Sequence, residues 1–303
     1  MPVPAERPEA VRAFAPAKVN LFLHVGEKRD DGYHALESVV VFCECGDTIG
    51  AARADVSSLS ASGPFASALP REEDNLALKA AQALGARAGP GHAARLTLEK
   101  NIPVASGLGG GSADAAATLR ALRALWGLSR VGRDLAAVAE ELGSDVPACL
   151  LSAPAWIEGR GERVMALNTF PPFALVLANP GVAVSTAEIF RRLEARTGLG
   201  AMAPPSGVAS PRALAAYLGA TANDLEAPAR AAHPVIADVL GALAATGALI
   251  ARMSGSGASC FGLYEDEGRA SAAAAAIARD RPGWWVTATR IAAPDIGRAQ
   301  FDQ

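Results

Sequence analysis

Hydrophobic and polar positions alternate in part through AKVNLFLHVGEK (17–28). Val19, Leu21 and Leu23 fall on one side and Asn20, Phe22 and His24 on the other, predicting a strand that ends at Gly26. SVVVFCECGDTIGAAR (38–53) is β-branched and aromatic, interrupted by Gly46-Asp47, and predicts two strands joined by a tight turn. In DNLALKAAQALGARAG (74–89), Leu76, Lys79, Ala80, Ala83 and Leu84 recur at helical spacing, with Asp74 or Asn75 as the cap and glycines beyond. ARLTLEKNIP (94–103) alternates cleanly and stops at Pro103, directly before a run of glycines.

Beyond that run, Ala115, Leu119, Leu122 and Trp126 share one face of a helix that closes at Gly127. GRDLAAVAEELG (132–143) is a second helix, and Pro147 and the Gly159-x-Gly161 pair mark turns in SDVPACLLSAPAWIEGRGERV. Two prolines in NTFPP (168–172) mark a seam between lobes. FALVLANPG then reads as a strand ending in an Asn-Pro-Gly turn, with helices and two more strands after it. ALIARMSGSGASCFGLY (248–264) reads as a helix exit, a second glycine-serine loop and a strand, and PPSGVASP (204–211) as a loose surface loop. Trp284-Trp285 precede a final strand as packing aromatics. Strands and helices mix without a strict βαβ rhythm, which predicts an α+β protein of two lobes.

Composition narrows the function. With 303 residues, half of them hydrophobic, the chain buries a full core, and a net charge of -3 without a basic block argues against a nucleic-acid partner. Cys43, Cys45, Cys149 and Cys260 have neither disulfide-framework nor zinc spacing and read as reduced thiols. No apolar run reaches the ~20 residues that span a bilayer. The N-terminal MPVPAERPEAVRAFAP has acidic residues and early prolines and resembles no signal. The expectation is a cytoplasmic protein with a small-molecule substrate, no nucleic acid, no membrane, and a monomeric or weakly dimeric state.

The chemistry concentrates in NIPVASGLGGGSAD (101–114), with Gly107, Gly109, Gly110 and Gly111 at a strand-to-helix junction. A P-loop requires a lysine just after its last glycine, and none is present. The dinucleotide fingerprint starting at Gly107 fails at its sixth position, Ser112. What remains is a glycine-serine loop capping a helix, whose successive N–H groups and positive helix end hold phosphate, with hydroxyls available from Ser106 and Ser112.

PVASGLGGGSADAA (103–116) resembles the phosphate-binding motif of the GHMP kinases. APAKVNLFLHV (15–25) and MSGSGASCFGLY (253–264) are similar to that superfamily's first and third motifs, in the same order. Within the superfamily, A-K-V-N-L-F-L, R-D-D-G-Y-H (29–34), LGSDVP (142–147) and NDLE (223–226) resemble the 4-diphosphocytidyl-2-C-methyl-D-erythritol kinases of the non-mevalonate isoprenoid route, rather than the homoserine or mevalonate kinases. The resemblance implies a two-lobed GHMP kinase fold: a ribosomal protein S5 domain 2-like N-terminal domain (1–168) and a ferredoxin-like C-terminal domain (169–303). It also implies ATP with Mg²⁺ held mainly by the phosphates, no dedicated metal ligands, and transfer to the substrate's 2-hydroxyl. Residue by residue, it implies Asp145 as the catalytic acid-base group with Lys18 as partner. Asn20, Tyr33, His34 and Phe190 would hold the substrate. Pro103, Val104, Ala105, Ser106, Gly107, Leu108, Gly109, Gly110, Gly111, Ser112 and Ala113 would form the ATP loop, with Asn75 and Lys100 near the nucleotide.

Two stretches depart from the superfamily's usual pattern. Ala105-Ser106 stands where glycine is frequent, and Asp114 where many members have asparagine. A carboxylate in the first turn suits the helix dipole; whether Asp114 faces away from the phosphates or approaches a metal is left open by the residues alone.

Overall fold

The computed structural model describes residues 9–128, 132–167, 170, 172–293, 296–297 and 299–301. The division at 168, most of the NTFPP seam and the first eight residues lie outside them. The first sheet is built on two long antiparallel strands, β1 (Ala10–Lys28) and β2 (His34–Ala54). The N-terminal half of β2 pairs with β5 (Ala155–Gly159), itself hydrogen-bonded to β6 (Arg163–Ala166). The C-terminal half pairs with β4 (Ala93–Glu99), which lies parallel to β3 (Ser58–Ser62). Helices α1 (Leu76–Ala88), α2 (Gly110–Trp126), α3 (Gly132–Leu142) and α4 (Val146–Leu151) complete this lobe. Their alanine- and leucine-rich faces close one core with Val11, Phe42, Ile49, Leu96 and Leu98 of the sheet.

The second lobe carries a four-stranded antiparallel sheet ordered β10 (Trp285–Arg290), β7 (Ala174–Asn179), β9 (Cys260–Tyr264), β8 (Ile250–Met253). Helices α5 (Thr186–Arg191), α6 (Pro211–Gly219), α7 (Glu226–Ala232) and α8 (Val235–Ala245) lie between β7 and β8, and α9 (Glu267–Asp280) between β9 and β10. That is the βαββαβ order of a ferredoxin-like unit. The last strand, β11 (Ala299–Phe301), returns to the first sheet and pairs with β1. A further core joins the lobes, with Val19, Leu21, Phe22 and Val41 packing with Leu175, Leu177, Phe261 and Leu263.

Four local readings are corrected. Gly46-Asp47 does not reverse the chain: β2 runs through it because Ala15 and Pro16 of β1 stay paired with Asp47 and Gly46. In β1 the pairing passes from Asn20 to Phe22 through a bulge, so Leu21 and Phe22 both enter the inter-lobe core and simple alternation fails. Pro147 starts helix α4 rather than a turn, since the first helical turn needs no N–H from it. ALIARM leads into strand β8 (Ile250–Met253) and is not a helix exit: α8 has already closed before Gly247, which takes a positive φ, and Leu249 N–H donates to the carbonyl of Leu263.

Candidate active site

Three segments meet where the lobes face each other: the middle of β1, the glycine run into α2, and the loop between β8 and β9. The glycine run is positioned from both sides. Lys18 N–H donates to the carbonyl of Leu108 (2.8 Å), and Ser259 N–H donates to that of Ser106 (2.9 Å). Ser254 Oγ donates to the Gly107 carbonyl (2.9 Å) and accepts from Asn20 N–H (3.1 Å), so one hydroxyl joins all three segments. Gly107 has φ +78°, and a Cβ there would run into the Ser254 carbonyl. Gly109 caps α2 in the left-handed region, where Lys18 side-chain carbons leave 3.1 Å for a Cβ. Ala105, one of the two departures from the superfamily pattern, also takes a positive φ of 51°, a conformation disfavoured for a residue with a Cβ.

These segments border a cavity of about 930 Å³ between the lobes. Lys18, Asn20, Tyr33, His34, Asp145 and Phe190 line it, as do Ala105, Ser106, Gly107, Gly109, Gly110, Gly111 and Ser112. Pro103, Val104, Leu108 and Ala113 do not, and Leu108 and Ala113 are core residues beneath the loop. Gly110, Gly111 and Ser112, the first residues of α2, border the cavity at the positive end of a 17-residue helix, which suits a polyphosphate.

Lys18 and Asp145, 127 positions apart in the chain, are 2.8 Å apart through Nζ and Oδ1. The lysine side chain is 5% exposed and the carboxylate 47%, so the pair points into the cavity from a buried base. Asp145 occupies the N-cap position of α4 yet makes no capping bond, leaving its carboxylate to the lysine. Nearby, burial pushes the Cys149 thiol up to about 12, so it stays neutral. Asn20 Nδ2 donates to Ser38 Oγ (2.8 Å), which donates to the Phe22 carbonyl at the β1 bulge (2.6 Å).

At the far end, Tyr33 is 53% exposed and the Arg160 guanidinium lies over its ring, 5.4 Å from the centroid. The His34 ring stacks on Phe190 of α5 at 5.3 Å and 21°, with its Nδ1 3.2 Å from the Gly26 carbonyl oxygen. Asn75 and Lys100 stand apart from the cavity. Asn75 caps α1, accepting from Ala77 N–H (2.9 Å). Lys100 is buried beneath the loop, with Nζ 2.6 Å from Asp47 Oδ2 and 2.7 Å from Asp114 Oδ2. Asp114 thus turns inward, away from the cavity.

Several residues at the site were not singled out from the sequence. Ser254 sits inside the third motif, where glycines drew attention instead. Arg160 sits in a segment read only as a turn. Thr186, whose Oγ1 is 2.8 Å from Ser256 Oγ across the cavity wall, gave no signal of its own. The NDLE stretch gains a structural account: Asn223 Nδ2 donates to the carbonyls of Met253 and Gly255 (both 2.8 Å), and Glu226 accepts from Met253 N–H (3.0 Å), which shapes the third loop.

Residues 75–153 match the GHMP kinases N terminal domain and residues 209–282 the GHMP kinases C terminal domain. The 4-diphosphocytidyl-2-C-methyl-D-erythritol kinase of Parvibaculum lavamentivorans is 51% identical over 275 residues, covering 90% of this chain and 95% of that one. Its counterpart in Sinorhizobium medicae is 49% identical over 302 residues, covering 94% and 98%. A crystal structure of 4-(cytidine 5'-diphospho)-2C-methyl-D-erythritol kinase superposes with a TM-score of 0.75 at 35% identity, over 93% of this chain and all of that one. A homoserine kinase from Cytophaga hutchinsonii, at 18% identity, shares the fold with a TM-score of 0.76 over 99% of both chains. About half the residues are thus shared with kinases of one name across nine-tenths of the chain, and this protein belongs to the 4-diphosphocytidyl-2-C-methyl-D-erythritol kinase family of the GHMP kinases.

Proposed function

We propose that this kinase transfers the γ-phosphoryl group of ATP to the 2-hydroxyl of 4-diphosphocytidyl-2-C-methyl-D-erythritol, giving the 2-phosphate and ADP in the non-mevalonate route to isopentenyl diphosphate. The observation that carries the reading is the Lys18–Asp145 pair lining one cavity beside the glycine loop, in a chain of this family. Phosphoryl transfer asks a protein chiefly for positioning and charge stabilisation. The N–H groups of residues 105–107 and 109–112 and the α2 terminus hold the phosphates. Mg²⁺, held mainly by the phosphates, would supply neutralisation of part of their charge. Asp145 accepts the hydroxyl proton as the oxygen bonds to phosphorus, while Lys18 orients that carboxylate and offsets developing negative charge.

Asn20 and His34 hold the substrate by hydrogen bonds, and the exposed Tyr33 ring offers a face to the cytosine, with Phe190 closing the same end from the second lobe. Leu108 and Ala113 anchor the loop in the core, Pro103 and Val104 lead into it, Lys100 lies beneath Gly110, and Asn75 caps α1, whose Leu76 borders the cavity. The protein acts in the cytoplasm on a small molecule without a nucleic-acid partner, as a monomer or weak homodimer.

The deciding experiment is a coupled ADP-release assay comparing the cytidyl-diphospho-methylerythritol substrate with mevalonate and homoserine. Turnover with the first alone is the expected result. Turnover with either of the others moves the chain to a different specificity, and ATP binding without any turnover reduces it to a nucleotide-binding regulator.

A further inference from the structure

Beneath the glycine loop lies a charged cluster that the proposed reaction does not use. Lys100, Asp47 and Asp114 are each at most 2% exposed at the side chain, and the one ammonium contacts both carboxylates. The count leaves one negative charge in excess inside the core. Asp47 is fully employed, because its Oδ1 accepts from Asn101 N–H (2.6 Å) and Ile102 N–H (2.9 Å) while Oδ2 faces Lys100. Asp114 is not: its Oδ1 is buried without a hydrogen-bond partner among the described residues. A buried, half-partnered carboxylate is costly as an anion and far less so as an acid.

The cluster sits against the loop itself. A Cβ on Gly110 would lie 2.9 Å from Lys100 Nζ and 3.7 Å from Asp47 Oδ2. Asp114 is the fifth residue of α2, and the first residues of that helix border the cavity. The surplus carboxylate and a bound polyphosphate therefore draw on the same positive helix end. Of the other charges near this helix, Arg123 lies exposed in its last turn, at the opposite end from the loop, and those nearer the cluster are engaged. From β1, Lys18 is paired with Asp145; from α1, Lys79 and Arg87 pair with Asp74 and Glu141 at the surface. On α2 itself Arg120 binds the carbonyls of Phe14 and Cys149, and from α4 the Cys149 thiol is neutral. Burial raises Asp114 to about 7, with Lys100 opposing and Asp47 adding to the rise.

We propose that nucleoside triphosphate binding at the glycine loop is coupled to uptake of one proton by the Asp47–Lys100–Asp114 cluster, and that Asp114 is the group that takes it. The proton comes from solvent and converts the carboxylate to the acid; no bond of the nucleotide changes. The inference rests on the reading of residues 105–112 as the phosphate loop. Asp114 acts through the loop as a positioning residue, and its charge tunes the helix end that receives phosphate.

The test is titration calorimetry of the full chain with a non-hydrolysable ATP analogue in saturating Mg²⁺ at pH 7.5, in two buffers of different ionisation heat. The wild-type chain takes up roughly half to three-quarters of a proton per nucleotide, and its affinity weakens from pH 7 to 9, by at most about tenfold per pH unit. Asp114→Asn and, independently, Asp47→Asn lose that uptake, and their affinity stays flat over the same range. The amide introduced by Asp47→Asn keeps a carbonyl for the two backbone N–H groups, so the second variant preserves the loop junction. Nucleotide binding with equal proton uptake in wild type and variants, or a wild-type affinity that does not change between pH 7 and 9, overturns the inference alone. A wild-type chain that binds no nucleotide overturns the kinase reading and this inference together.

Discussion

Lys18 and Lys100 press on adjacent glycines of one loop, yet their surroundings are opposite. Lys18 meets one carboxylate that is half exposed to the cavity; Lys100 meets two that are sealed in the core. An ion pair open to water is worth little to stability and remains free to exchange a proton with a substrate. A sealed pair depends on every partner being present, because removing one strands a charge in low dielectric. The same residue type thus faces the cavity on one side of the glycine loop, where the proposed reaction would use it, and braces the core on the other; what separates the two is access to the cavity. The burial of Lys100 acts against its charge, but the two facing carboxylates outweigh that and raise its pKa.

The largest expected effect separates these roles. Asp145→Asn lowers kcat by roughly 10²–10⁴-fold, the usual loss for a general base, while ATP affinity and melting temperature stay near wild type. Near-normal turnover would remove Asp145 from the proton-accepting role. Lys18→Met follows it in kcat and, since the stranded carboxylate reaches water, costs about 1 kcal/mol or less in denaturant unfolding. Lys100→Met should do the reverse, destabilising the fold by roughly 3–5 kcal/mol at pH 7.5, because two buried carboxylates lose the ammonium they share. Comparable stability losses for the two lysine variants would erase the contrast.

The same contrast marks how far the sequence was legible. The α1 cap at Asn75, the alternating β4 and the apolar face of α2 depend on neighbours within a few residues, and their local pattern suffices. The proposal of the glycine loop as an anion cradle rests on the same kind of local pattern. Contacts between distant segments are not: Lys18 and Asp145 were linked only through the family resemblance, with no spacing to announce the pair. The continuity of β2 through Gly46 depends on Ala15 and Pro16 across the sheet, and the inward turn of Asp114 on Lys100 and Asp47. Arg160 is an ordinary turn arginine until the fold lays it over Tyr33.

A smaller effect tests the far end of the cavity. Tyr33→Ala should raise KM for the cytidyl substrate by about five- to a hundredfold, the range for loss of one base–aromatic stack of roughly 1–3 kcal/mol, with KM for ATP little changed. Equal increases for both substrates would make the ring a structural element of the β1–β2 turn.

The smallest effect is a pH-dependent one. Burial holds Asp114 at about 7 in the folded chain, above the ordinary aspartate value of 3.8, so the folded state binds the extra proton between those values. Stability contributed by that proton is present at low pH and is lost as pH rises through the window from about 4 to 7. Asparagine at this position carries no titrating group, so the variant escapes the loss. The melting temperature of Asp114→Asn relative to wild type should therefore rise between pH 5 and pH 8, by a shift of about 2 °C or more if the difference reaches ~1 kcal/mol. Loss of one partner for Lys100 moves the variant's whole curve, but it does so at every pH below the lysine's own titration, so the change in the difference isolates Asp114. A difference that stays constant from pH 5 to 8 in calorimetric scans would mean that Asp114 is ionised throughout, and that the sealed pair, like the open one, carries its charges unchanged across the physiological range.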